Sequence, residues 1–115
     1  MFMIINIKNN KFNVKTVFTP KDVKNGMMNR KFDSTFNGML FLMEGDEQCF
    51  WMKNCIIPLD IIMISDNTIT KIHHDCPPCT TEDCGNYCGE GDIVLELKGG
   101  TCKKLGIQEG DEVIF

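Results

Sequence analysis

The chain has no hydrophobic run long enough for a membrane-spanning helix. No stretch approaches the ~18 apolar residues one needs. It shows no excess of basic charge, since the formal net charge is −4, which gives no general drive toward nucleic acid or anionic lipid. Internal repeats, linkers and low-complexity tracts are missing too. The opening "MFMIINIKNNKF" lacks a basic leading segment, a full apolar core and a small-residue cleavage site. The chain as given is therefore expected in the cytoplasm, and in an exported setting if a leader has been removed. Assembled catalytic motifs are also missing. There is no Ser-His-Asp order, no HExxH and no phosphate-cradling glycine loop.

What is present suits one domain. The 115 residues are 43% hydrophobic and 24% charged, enough to bury a core. "MFMIINI" and "KFNVKTVFT" read as strands around a turn at residues 9–10, with Phe12, Val14, Thr16 and Phe18 on one face. "TPKDVKNGMM" predicts a short helix, with Thr19 as N-cap, Pro20 at the first helical position and Gly26 as the stop. "NGMLFLM" predicts a strand, "EGDE" at 44–47 turns the chain, and "QCFWM" follows as its partner. "IIPLDIIMI" has the near-continuous apolarity of a central strand covered on both faces. "TITKIHH", "DIVLELK" and "DEVIF" complete the strands, "GGTCKKLG" holds at most a short helix, and Gly110-Asp111 fits a turn. The fold class expected over residues 1–115 is a mostly-β, compact barrel- or sandwich-like single domain with one or two short helices.

Two constellations carry chemistry. Four of the seven cysteines, Cys76, Cys79, Cys84 and Cys88, lie in "HHDCPPCTTEDCGNYC". Their spacing, on turns favoured by Pro77, Pro78 and Gly85, suits four thiolates around zinc, and iron–sulfur clusters use the same donors. His73 or His74 is a substitute ligand. The loop's acidic residues and lack of lysine or arginine argue against a nucleic-acid role. The competing readings are disulfides and free thiols, and compartment decides among them. No cofactor is certain, and zinc is the candidate.

The second constellation is "FWMKN" followed by "IPLD". Trp51, the only tryptophan, with Lys53, Asn54 and Asp60 supplies an aromatic face, an ammonium, an amide and a carboxylate, the elements of a small-ligand pocket in which Arg30 is also counted. A bare carboxylate inside an apolar run is costly, so Asp60 should be buried with a partner, either Arg30, Lys53 or backbone N–H groups. The plain structural alternative has Asn54 and Asp60 tying backbone at a strand crossing, with Trp51 in the core. Cys55 is a nucleophile only on paper, being a small residue without an evident histidine. Met27, Met39, Met43, Met52 and Met63 fall in apolar segments and read as core rather than as a copper(I) site.

"GMMNRKF", "GMLFLM", "CFWMKNCIIPLDIIMI", "PPC…DCGNY", "VLELKGG" and "LGIQEGDEV" resemble, in order and rough spacing, the segments of domain-of-unknown-function family 192. The resemblance implies a compact mostly-β domain and leaves activity open. It also implies that Cys79 and Cys84 form the usual pair and so favours a disulfide between them. Cys76 and Cys88 appear as additions expected to lie near enough to pair, and Cys55 stands where the family has threonine. The function expected is binding of a small molecule or protein partner. The alternatives are a hydrolase or thiol-redox enzyme using the loop cysteines or Asp60 and Lys53, and a zinc- or disulfide-stapled interaction module.

Overall fold

The computed structural model describes residues 1–115. The first two strands, β1 (Phe2–Ile7) and β2 (Asn10–Val17), form an antiparallel hairpin. Its turn falls on Lys8 and Asn9, both at positive φ (50° and 64°), one residue earlier than expected. A two-residue turn with both residues left-handed matches the twist of the flanking strands. Helix α1 (Pro20–Asn25) follows as predicted, with the Thr19 hydroxyl accepting from the Asp22 N–H at 3.2 Å. The chain then crosses over, and β3 (Gly38–Leu42) runs parallel to β2.

The main sheet has six strands in the order β1-β2-β3-β8-β5-β6, where β5 is Leu59–Ser65, β6 is Thr68–Cys76 and β8 is Ile93–Lys98. "IIPLDIIMI" therefore supplies an interior strand covered on both faces, but β3 and β8 occupy the middle. "QCFWM" does not pair with β3. It forms β4 (Glu47–Trp51) and joins β7 (Asn86–Glu90) in a separate two-stranded ribbon. Strand β7 lies within the stretch taken for the cysteine loop. "DEVIF" is not a strand either. Glu112 and Ile114 make single bridges to Thr68 on β6 and Asn6 on β1. The chain end thus leans on both edges of the sheet without closing a barrel, and the architecture is sandwich-like.

Period-two alternation sorts the core onto two faces. One face carries Leu40, Ile62, Ile64, Leu95 and Leu97 against Cys102, Ile107 and Val113 from the region of helix α2 (Thr101–Leu105). The other carries Met39, Phe41, Ile61, Met63 and Val94, packed with Met27, Met52, Cys55 and Cys76. Gly91 lets the ribbon come close, because a Cβ there would stand 2.4 Å from the Ile64 carbonyl oxygen.

Candidate functional site

Asp60 points to the first face, among the residues that seat α2. It is fully buried, and its carboxylate accepts from the N–H groups of Asp75 (2.8 Å), Gly100 (3.1 Å) and Cys102 (2.8 Å). The expected burial and backbone bonding hold. Neither Arg30 nor Lys53 is its partner. Arg30 instead lies over the Phe36 ring, 5.7 Å from its centroid. Lys53 donates to the Thr81 carbonyl. Asn54 takes the structural part, at a φ of 58°, donating its N–H to the Cys79 carbonyl and accepting from the Asn29 N–H, both at 2.8 Å. The anticipated grouping of Arg30, Trp51, Lys53, Asn54 and Asp60 is therefore split, since strand alternation sends Asp60 to the far side of the sheet.

Trp51 and Lys53 do meet at a cleft on the second face, with a cavity of about 190 Å³. Its floor is the sheet, at Phe41 and Glu96. Met27, Met43, Phe50 and Cys55 form the walls, and Phe50 meets Phe41 edge-on at a 4.9 Å centroid distance. Helix α1 and its C-cap supply one rim through Lys24, Asn25 and Gly26, and Lys53 stands on another. Gly26, at φ 41°, ends the helix directly over Phe41, and a Cβ there would come within 3.3 Å of the ring. Trp51 stays 44% exposed at the mouth, so it is a wall of the cleft and not core.

Glu96 is the residue that sequence reasoning missed. It is only 3% exposed, and its carboxyl makes no hydrogen bond or ion pair. Burial alone pushes its pKa up, to about 8, so near neutral pH it is held mostly as the neutral acid. The signal was legible. In "VLELK", Leu95 and Leu97 face one core, so on an interior strand Glu96 must face the other.

The cysteines do not converge as a set of four. Cys79 is bonded to Cys84 (S–S 2.05 Å), as the family resemblance implied. Cys88 is bonded to Cys49, its cross-strand neighbour on β4, and not to Cys76. Cys76 is buried, its thiol donating to the His73 carbonyl, and burial pushes its pKa up to about 11. The arrangement expected for zinc on Cys76, Cys79, Cys84 and Cys88 is thus replaced by two disulfides and a buried thiol. His73 contacts the Cys88 carbonyl at 2.8 Å, and His74 is exposed. Cys55, beside Glu96, has its thiol pushed up to about 12, first by burial and then by the carboxyl, so it is no ready nucleophile. Met27, Met39, Met52 and Met63 are core.

The family model described as DUF192, "Uncharacterized ACR", matches residues 3–115. The chain belongs to this family. No curated protein matches it. A solved protein of unknown function from Novosphingobium aromaticivorans is 30% identical with a TM-score of 0.86, over 99% of this chain and 85% of that one. A putative transcription regulator from Sinorhizobium meliloti is also 30% identical, with a TM-score of 0.87, over 98% of this chain and 92% of that one. Membership of the DUF192 family supports the fold and leaves the activity open. No helix of the fold is long and apolar enough to cross a membrane.

Proposed function

We propose that this DUF192 domain binds a small molecule in the cleft between α1, the β4–β7 ribbon and the main sheet. One observation carries the reading: Glu96 is a buried carboxyl with no protein partner, facing a mainly apolar cavity of about 190 Å³. Buried polar groups in folded proteins are normally bonded, and one left open toward a cavity is what a ligand completes. The cavity is of single-ring size, since about 150 Å³ accommodates benzene. In this reading Trp51 and Lys53 contact the ligand. Arg30, Asn54 and Asp60 act as supports.

The enzyme alternative finds less support, because Cys55 is pushed away from thiolate and no histidine lines the cleft. Zinc binding by the loop would require the Cys79–Cys84 and Cys49–Cys88 bonds to be reduced and the ribbon rebuilt. The two disulfides favour an oxidising compartment, hence export. A net charge of −4 gives no field toward phosphate, so the regulatory description of the Sinorhizobium meliloti relative finds no support in this chain.

Small aromatic fragments titrated against the protein, read by Trp51 fluorescence and by NMR shifts, test the proposal. The expected result is saturable perturbation confined to Trp51, Phe50 and the Glu96 region. Perturbation elsewhere only, or none at millimolar fragment, overturns it.

A further inference from the structure

The polar groups of the cleft are unevenly arranged. Deep in it stands one carboxyl, Glu96, without a partner. Two lysines, Lys24 and Lys53, are among the lining residues, with the Lys53 ammonium donating to the Thr81 carbonyl, and Glu96 is the only acid that lines the space. Between them the lining is apolar, with Phe41, Phe50 and Trp51 beside methionines. Each end selects a different chemistry. A cation would be opposed by the two lysines of the lining, and an anion placed at depth would meet a carboxyl in an apolar surround. A neutral acceptor at depth suffers neither cost and satisfies the orphan acid, which donates one hydrogen bond in its neutral form. An anion left at the mouth gains from both lysines, although screened by solvent.

We propose that the cleft recognises an aromatic or similarly flat apolar molecule that carries a neutral carbonyl-type acceptor at one end, bonded to Glu96, and an anionic group at the other, held near Lys24 and Lys53. This rests on the small-ligand reading above and specifies the class of ligand. Lys53 already donates to the Thr81 carbonyl, so one of its remaining N–H groups would serve the anion. The cleft's size limits the buried part to about one ring, with the anion outside it.

The test uses the full chain and four probes: para-acetylbenzoate, para-isopropylbenzoate, acetophenone and benzylamine. The first carries both recognition groups, the second lacks the acceptor, the third lacks the anion, and the fourth is a cation. Trp51 fluorescence and NMR shifts report binding. At pH 7, para-acetylbenzoate should bind about tenfold tighter than para-isopropylbenzoate, the value of one net hydrogen bond. It should also bind several-fold tighter than acetophenone, and Lys24→Ala should shrink that second margin. As pH rises past about 8, Glu96 loses the proton it donates, so the acceptor margin should disappear. Glu96→Gln, whose amide still donates, should keep the margin and make it independent of pH, whereas Glu96→Leu should abolish it.

Equal binding of the two benzoates, or benzylamine as the tightest probe, overturns the proposed class while leaving the cleft as a binding site. No binding by any probe overturns both readings, because every probe carries the single ring that an open apolar cleft of this size would take whichever end group it prefers.

Discussion

Replacing Glu96 with glutamine should stabilise the protein, and should do so more strongly as pH rises. An unfolded glutamate titrates near 4.3. In the fold, burial holds the Glu96 proton until about pH 8. Between those values the folded state keeps a proton that the unfolded state has released, so stability is greatest at low pH and falls as pH rises through the window. Each pH unit is worth about 1.4 kcal/mol. A window of nearly four units therefore carries on the order of 5 kcal/mol, most of it already lost by pH 7. That is a large part of the ~5–15 kcal/mol by which a domain is stable.

Glutamine occupies the same volume without a charge to desolvate. Its amide is still unpartnered, which costs on the order of 1 kcal/mol or more and reduces the gain. The assay is urea unfolding of both proteins, followed by circular dichroism, from pH 5 to 8.5. The buried thiols Cys55, Cys76 and Cys102 also resist ionisation, but they are common to both proteins and cancel in the difference. The variant should gain about 4 kcal/mol relative to wild type across the range. A difference that stays constant with pH, or shrinks, would refute the claim that Glu96 is buried without a partner.

Three further outcomes concern the Asp60 anchor and the cysteines. Asp60→Ala leaves three N–H groups, of Asp75, Gly100 and Cys102, without an acceptor and should cost on the order of 3 kcal/mol or more in urea unfolding, with α2 loosened. A cost below about 1 kcal/mol would contradict its role as the anchor of α2. Thiol titration under denaturing, non-reducing conditions should find three free cysteines, rising to seven after reduction. Removing the Cys49–Cys88 bond, which closes 39 residues, should cost about 4 kcal/mol against about 2 for the five-residue Cys79–Cys84 loop.

What could be read from the chain was local. Thr19, Pro20 and Gly26 punctuate α1 through their own hydrogen bonds and dihedral limits, so the helix was legible to the residue. The apolar run of β5 was equally plain. The pairing of β4 was not, because a turn at 44–47 suggests a hairpin, while the choice of β7 depends on residues about 40 positions away. Strand β7, "NYCGE", has no apolar period and is a strand because β4 holds it. The Cys49–Cys88 bond was hidden for the same reason. The cleft was half legible. "FWMKN" marked Trp51 and Lys53, but the face of Asp60 depended on its register beside β8.

That register is also what separates the two buried carboxyls. Asp60 opposes Leu97 and Ile61 opposes Glu96, so the two acids stand one step apart on neighbouring strands and point to opposite faces. Both are desolvated nearly completely. Asp60 recovers the cost through three backbone donors and fixes a helix, so its presence is explained by the fold alone. Glu96 finds no protein donor. A leucine there would match its neighbours Leu95 and Leu97 and remove a penalty of several kcal/mol near neutral pH. The fold gives no reason for an acid at this position, and the cleft gives one: the donor that costs stability in the empty protein is the group a bound acceptor would satisfy.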